Sequence, residues 1–179
     1  MLACRAGDDV AFGALFRRWS SPLLRYLERM VGDAAAAEEL VQETFLRVHR
    51  ARERYSPDAR FSTWLYTIAN HLALNELRRP HRHREHRSAD GDDADREPLA
   101  LAGDSPRAEE AIDTRRLGSA VEQALSQLPE RQRAALWLTA VEGLSYAEAA
   151  STLETTEKSV KALVHRARSA LADNLHSGA

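Results

Sequence analysis

Near its carboxyl end the 179-residue chain carries four basic or protonatable side chains at intervals of three or four residues. They are Lys158, Lys161, His165 and Arg168, and on a helix this spacing places them along one face. A row of cationic groups can neutralise phosphates, so the chemistry it offers is the non-covalent binding of nucleic acid. The alternative is an ordinary helical hairpin whose outer face carries solvated charges.

The residues around this row predict a helix-turn-helix over residues 145–168. Ser145 and Glu148 have the spacing of a capping box, which satisfies backbone N–H groups at the start of a helix. Residues 154–156 form a polar turn, and the second helix then has an inward apolar seam of Val160, Val164, Ala167 and Leu171. The second helix of this motif enters the major groove N-terminus first, which places Thr156, Lys158, Ser159, Lys161 and Ala162 near base edges or phosphates.

A further helix is predicted just before the motif. Pro129 would take its first position, and Gly143 would supply a left-handed cap at its end. The face that this helix offers to the helix-turn-helix is predicted to be Leu136, Trp137, Ala140 and Val141. Trp137 is a core residue in this interpretation rather than a binding residue.

A second group of residues suited to nucleic acid lies at residues 55–79, where aromatic side chains alternate with amides and arginines. An unpaired base needs a stacking platform, amides for its hydrogen-bonding edge and cations along its backbone. The residues concerned are Tyr55, Phe61, Trp64, Tyr66, Asn70, Asn75, Arg78 and Arg79. The alternative, which composition alone favours, is that the rings pack internally and the arginines stabilise the negative end of a helix.

The first 79 residues predict an all-α unit. Apolar positions recur at helical spacing over about residues 8–31, 34–53 and 61–79, and breaks fall at Gly32-Asp33 and Ser56-Pro57. No segment has a convincing strand pattern. The core positions predicted for the first two helices are Phe12, Leu15, Phe16, Trp19, Leu23, Leu24, Leu27, Leu40, Val41, Phe45 and Val48.

Residues 80–116 have a polar composition with few large apolar side chains, which predicts a flexible linker between two small helical domains at 1–79 and 117–179. His81, His83 and His86 fit no established metal-binding spacing, and the chain has no Walker loop or nucleophile elbow. We therefore disfavour a metalloenzyme and expect no catalytic residue, no metal and no cofactor.

Charge and cysteine content limit how the chain can bind nucleic acid and in which compartment it is expected. The 25 Lys and Arg residues against 27 Asp and Glu residues give a net charge of -2, so nucleic-acid binding must depend on local clusters. Cys4 is the only cysteine, which excludes an intrachain disulfide and fits a reducing cytoplasm. No apolar run approaches the length of a membrane span, so we expect neither export nor membrane insertion.

Taken together, the two helical blocks resemble the extracytoplasmic-function (ECF) sigma factors of the sigma-70 family. The resemblance rests on ELVQETFLRV at residues 39–48, FSTWLYTIANHLALNELRR at 61–79, LPERQR at 128–133, EGLSYAEAA at 142–150 and VHRAR at 164–168. It implies a bacterial subunit that binds core RNA polymerase, recognises promoter minus-35 and minus-10 elements and promotes strand opening without being an enzyme. An anti-sigma factor is an expected partner, and two arrangements of the blocks, clamped and extended, are expected to interconvert.

The resemblance also implies three groups of contact residues. Core polymerase would be bound by residues 38–48, through Glu39, Leu40, Gln42, Glu43, Phe45 and Leu46. For Phe45, a polymerase contact and a place in the core are equally expected. The minus-10 element would be bound by Tyr55, Ser56, Asp58, Arg60, Phe61, Trp64, Asn70, Asn75, Arg78 and Arg79. The minus-35 element would be bound by Ser145, Tyr146, Thr156, Lys158, Ser159, Lys161, Ala162, His165, Arg166 and Arg168.

Three positions depart from the family pattern. Asn75 stands where many relatives have Asp, Glu154 at a turn position where relatives usually have Gly, and Leu163 where relatives often have a polar or basic residue. A left-handed backbone at Glu154 would be unfavourable by about 1 kcal/mol or more. A conventional helix-turn-helix regulator that does not join polymerase is the alternative function, and a dimer on a palindromic site would favour it.

Overall fold

The computed structural model describes residues 1–79 and 121–177. Its helices are α1 (Leu2–Arg5), α2 (Asp9–Val31), α3 (Ala34–Arg50), a 3-10 turn (Arg52–Arg54), α4 (Phe61–Leu77), a helical segment at 121–126, α5 (Glu130–Ala140), α6 (Tyr146–Thr152) and α7 (Glu157–Ser177). The described ranges contain no strand, which confirms the all-α prediction. None of the described helices combines the length and apolar character needed to cross a membrane.

Local signals determine where α2 and α3 begin. The backbone N–H of Ala11 donates to Asp8 Oδ1 at 2.9 Å, and that of Ala36 donates to Asp33 Oδ1 at 2.9 Å. These carboxylates satisfy donors that have no partner inside the helix. Gly32 ends α2 in a left-handed conformation with φ 72°, which glycine adopts without steric penalty.

Residues 1–79 form the N-terminal unit, in which α2, α3 and α4 surround one apolar core. Of the predicted core positions, those buried are Leu23, Leu27, Leu40, Val41, Phe45 and Val48. Phe16 is 40% exposed, so the prediction that it is core was wrong; its ring lies against the surface side of Phe45, with 4.8 Å between ring centroids. The small α1 packs against the 3-10 turn, and Cys4 is buried there.

Residues 121–177 form the C-terminal unit, in which α5 and α6 pack on α7. The predicted seam is confirmed at Val160, Val164 and Ala167, which are buried. Two details of the α5 prediction were wrong. Pro129 is the N-cap residue with an extended ψ of 140° instead of the first helical residue, and Ala140 and Val141 are exposed because the chain leaves the helix there.

The two units pack against each other, α6 on α4 and α5 on the end of α2. We refer to this packing as the closed arrangement. The Tyr66 hydroxyl donates to Glu142 Oε2 at 2.5 Å, and the Thr152 hydroxyl donates to the Thr63 carbonyl at 3.4 Å. The predicted linker and the three histidines within it lie outside the described residues, so the domain boundaries at residues 79 and 117 stay predictions.

Candidate nucleic-acid interface

The helix-turn-helix has the capping geometry expected from its sequence. The Glu148 N–H donates to Ser145 Oγ at 3.2 Å, and the Ser145 N–H donates to Glu148 Oε2 at 2.8 Å. Hydrogen bonds from the Ser145 hydroxyl and then from its backbone N–H lower the pKa of the Glu148 carboxyl. The carboxylate is therefore ionised at neutral pH and holds the first turn of α6 in place.

The turn of the motif runs through Glu154, which has a left-handed backbone with φ 48°. Among the described residues it is the one non-glycine position with a positive φ. Its carboxylate extends to the N-terminal unit, where Oε1 lies 3.2 Å from His71 Nε2. The turn ends at Thr156, whose hydroxyl oxygen accepts from the Ser159 N–H at 3.2 Å and caps α7. Thr156, predicted to face DNA, thus also starts that helix.

The outer face of α7 is cationic and exposed. The exposed side chains on it are Lys158, Lys161, His165, Arg166 and Arg168, and Ala162 is exposed among them. Lys161 Nζ lies 2.8 Å from Glu157 Oε1 and 5.7 Å from the ring centroid of Tyr146, and the hydrogen bond that Lys161 donates to Glu157 raises the pKa of Lys161. Leu163 is buried, so the apolar residue at this departure from the family pattern packs inward.

Three aromatic residues of the second group, Tyr55, Phe61 and Trp64, pack on one another, whereas the Tyr66 ring packs on Trp19 and Tyr26. Tyr55 and Tyr66 are buried, whereas Phe61 and Trp64 are half-buried. The Tyr55 and Trp64 ring centroids are 5.2 Å apart, and those of Phe61 and Trp64 are 6.2 Å apart. The loop before α4 carries exposed polar residues at Ser56, Asp58 and Arg60. In the closed arrangement Arg60 Nε lies 3.4 Å from Glu148 Oε1 of the other unit.

The polar residues predicted on α4 fall into two sets. Asn70 is buried, and its Oδ1 accepts from the Tyr26 hydroxyl at 3.0 Å. Asn75, Arg78 and Arg79 are exposed near the end of the helix, and Arg79 Nη1 lies 3.2 Å from Glu76 Oε2. Asn70, Asn75 and Arg78 border a cleft of about 360 Å³ between the units, which the C-terminal unit closes with residues 130, 131, 134, 153 and 154.

The residues predicted to contact polymerase are also divided by burial. Glu39, Gln42 and Leu46 are exposed, and Leu46 presents half of its surface to solvent. Glu43 is half-buried and accepts from Arg47 Nε at 2.7 Å. Leu40 and Phe45 lie in the core of the N-terminal unit, so in this arrangement they support α3 from within.

Two residues that sequence reasoning missed connect the units. Glu142 accepts from both Tyr66 and Trp137 Nε1, the latter at 3.0 Å. Arg133 donates to the Arg29 carbonyl at 2.7 Å. No local pattern marks either residue, since their partners in the N-terminal unit lie far away in sequence. Within the described residues no group of three or more His, Cys, Asp or Glu is placed to hold a metal ion.

The chain matches two family patterns, Sigma-70 region 2 over residues 15–83 and Sigma-70 region 4 over residues 119–171. It is 37% identical over 172 residues to the ECF RNA polymerase sigma factor SigE of Mycolicibacterium smegmatis, covering 94% of this chain and 64% of SigE. It is 34% identical to the RNA polymerase sigma-H factor of Pseudomonas aeruginosa, covering 92% of this chain and 86% of that relative.

The fold is likewise similar to that of the sigma factor RpoE from Bartonella quintana, solved in complex with the anti-sigma factor NepR. The TM-score is 0.68 at 23% identity, covering 93% of this chain and 97% of that one. Both helical units and their order along the chain are therefore those of the sequence relatives, and the chain belongs to the ECF sigma factors of the sigma-70 family.

Proposed function

We propose that this sigma factor binds core RNA polymerase through α3, the minus-10 element through the residue 55–61 loop and α4, and the minus-35 element through α7. The proposal rests on one observation: α7 has an exposed cationic face and belongs to a helix-turn-helix that follows a region 2 unit. A conventional regulator would leave the N-terminal unit without a role.

On α3, the proposed polymerase contacts are the exposed side chains of Glu39, Gln42 and Leu46, together with Glu43. In this proposal Leu46, which is half exposed, is the apolar centre of the contact, and the carboxylates and the amide surround it. Leu40 and Phe45 stabilise the helix that presents them.

At the minus-10 element, Ser56, Asp58 and Arg60 are accessible for contact with an unpaired base, and Asn75, Arg78 and Arg79 for contact with the separated strand. Phe61 and Trp64 supply partly exposed rings next to that loop. Stacking of a base on such a ring contributes about 1–3 kcal/mol, which favours strand opening without nucleotide hydrolysis. Tyr55 and Asn70 are buried and take a positioning role in this proposal.

At the minus-35 element, α7 would enter the major groove with its N-terminal residues Lys158, Ser159, Lys161 and Ala162 foremost. In keeping with the family resemblance, Ser145 and Tyr146 at the start of α6 would lie beside a phosphate of the DNA backbone. His165, Arg166 and Arg168 continue the cationic face toward the backbone of the DNA.

Binding both elements at once requires the closed arrangement to open. Arg60 and Glu148 are in contact, yet the minus-10 and minus-35 positions are about 80 Å apart along B-DNA at the usual rise per base pair. About 40 residues connect the two units, and a fully extended chain of that length reaches beyond 100 Å. The covalent connection therefore permits the separation that promoter binding demands.

An anti-sigma factor is the proposed regulatory partner, because a sigma factor of similar fold was solved in complex with an anti-sigma factor. By binding the closed arrangement more tightly than the open one, such a protein would keep the sigma factor from promoter DNA. Members of the sigma factor family are not enzymes, and we propose that this protein likewise acts by binding alone, in the cytoplasm, where polymerase and DNA are found.

The direct test is transcription by purified core RNA polymerase with the full-length protein on a library of promoter fragments. We expect transcripts that begin at a small set of promoters sharing minus-35 and minus-10 sequences, and none with core polymerase alone. Specific duplex binding without association with polymerase would favour the conventional regulator instead.

A further inference from the structure

Arg133 of α5 forms hydrogen bonds with both units at once. Its Nη1 donates to the Arg29 carbonyl at 2.7 Å and to the Met30 carbonyl at 3.5 Å, both near the end of α2. Its Nη2 donates to the Leu128 carbonyl at 3.2 Å in its own unit. One planar guanidinium therefore connects the backbone of α2 to the start of α5.

The end of α2 is a favourable place for this cation. Carbonyl groups in the last turn of a helix lack intrahelical partners, and the helix dipole makes that end partly negative. Hydrogen bonds from a charged donor to such acceptors are stronger than neutral ones. The contact thus satisfies groups of the N-terminal unit that its own helix leaves unpaired.

The guanidinium is also partly removed from water. Burial lowers the pKa of Arg133, and its Nε is buried with no hydrogen-bond partner in the described part of the chain. A desolvated cation is stable only while its acceptors stay in place. If α2 moved away, the Arg133 guanidinium would lose these acceptors and would have to be hydrated again. The free energy of this side chain therefore depends on whether the two units are in contact.

We propose that Arg133 is the docking residue of the closed arrangement: by capping the end of α2 it holds α5, and with it the helix-turn-helix, against the N-terminal unit. An ion pair between the Arg29 side chain and Glu122 reinforces the same end of α2. The docking itself concerns the free protein, whereas its consequence for transcription rests on the proposed function.

The chain offers a matched control on the same helix. Arg131 Nη2 donates to the Leu153 carbonyl at 3.3 Å, which keeps that contact within the C-terminal unit. Arg131→Gln therefore removes the same charge from α5 without removing the hydrogen bonds to α2. Arg133→Lys keeps the charge but replaces the planar fork by a single ammonium group.

The test is a fluorescence energy-transfer measurement on the full chain, with dyes on Arg50→Cys and Ser169→Cys in a Cys4→Ala background. We expect Arg133→Gln to raise the ratio of open to closed molecules about tenfold, equivalent to about 1.4 kcal/mol. Arg133→Lys should give a smaller rise, and Arg131→Gln should match the parent.

A distance distribution for Arg133→Gln that equals the parent's would overturn the proposal, as would equal opening by Arg131→Gln. Circular dichroism checks that each variant keeps its helices. If Arg133→Gln unfolds, the distances measured for Arg133→Lys test the proposal instead. A folded Arg133→Lys variant with the parental distances would then overturn it. Neither polymerase nor promoter DNA is present, so this result is independent of whether the proposed function is correct.

Discussion

Glu154 has two structural effects that act in opposite directions. Its left-handed backbone is unfavourable for a residue with a side chain, while its carboxylate oxygen Oε1 contacts His71 Nε2 of the other unit at 3.2 Å. The family resemblance indicated the first effect, because relatives usually have Gly at this turn position. It gave no sign of the second, since His71 lies on a different helix in a different unit.

Glu154→Gly separates these effects. Relief of the left-handed strain should stabilise the helix-turn-helix by about 1 kcal/mol. Loss of the exposed contact with His71 should weaken docking slightly. We expect the thermal unfolding midpoint of the C-terminal unit, measured by circular dichroism, to rise. We also expect a larger fraction of molecules in which the two units are apart. Glu154→Gln keeps the strain and loses the charge, so an equal rise in midpoint for this variant would contradict the explanation.

Tyr66 should make the fold sensitive to alkali. Burial, followed by the hydrogen bond to Glu142, raises the pKa of Tyr66, and burial also raises the pKa of Tyr26. A raised pKa means that the folded state keeps its proton, so the contribution is complete below the unfolded pKa of about 10 and is lost as the pH rises above it. We expect unfolding free energy, measured by urea denaturation, to decrease above pH of about 10.

Tyr66→Phe is the corresponding control. It removes one ionisable phenol and the hydrogen bond to Glu142 while keeping the aromatic ring. We expect lower stability at neutral pH but a shallower decrease in alkali. The same alkaline slope in the variant and the parent would show that other groups control this transition.

Lys158 on α7 should contribute to duplex binding through a phosphate. If Lys158→Ala removes one phosphate contact, the slope of log affinity against log salt should become shallower by about 0.9. Fluorescence anisotropy with a duplex containing the minus-35 element measures this. Arg50→Ala, at an exposed position of the other unit and outside the helix-turn-helix, is the control and should leave the slope unchanged.

At the scale of elements, the sequence predicted most of the helices because their signals are local. Asp8, Asp33 and Ser145 are helix caps with acceptors at the right spacing, and the apolar periods of α2, α3 and α7 are strong. The end of α3 was placed about three residues late. The helix stops at Arg50, where no glycine or proline marks the end, and the next residues form a 3-10 turn that packs on α1.

Substitutions at Ser145 can separate the stability of α6 from its proposed contact with DNA. Ser145→Ala removes the cap and should destabilise α6 by about 1 kcal/mol, measured by urea denaturation. Ser145→Asp keeps a capping oxygen but adds a negative charge. We therefore expect Ser145→Asp to retain stability and to bind the minus-35 duplex more weakly than the parent. Equal binding by Ser145→Asp and the parent would exclude the proposed phosphate contact.

At the scale of the whole molecule, the docking of the two units could not be predicted from the sequence. It depends on pairs such as Tyr66 with Glu142 and Arg133 with Arg29, which no periodicity or spacing relates. Part of the candidate site is also buried: Asn70 and Tyr66, chosen for their residue types, contact Tyr26 within the N-terminal unit. The candidate residues on α7 were easier to place, because the seam of that helix determines which face is outside.

The closed arrangement should loosen with salt, because two of the contacts between its units are partly exposed ion pairs. These pairs are Arg29–Glu122 and Arg60–Glu148. Raising sodium chloride from about 0.1 M to about 1 M shortens the screening length from about 10 Å to about 3 Å. We expect the radius of gyration, measured by small-angle X-ray scattering, to increase modestly. An unchanged radius would assign docking to the buried contacts of Arg133 and Tyr66.

Arg60 places an evolutionary constraint on this protein. The same side chain contacts Glu148 when the units are docked and is proposed to bind the minus-10 element when they are apart. If the proposed function is correct, a substitution there would alter promoter preference and the fraction of docked molecules together. Because Arg60 contacts Glu148 directly, we expect these two positions to vary jointly across descendants of the gene.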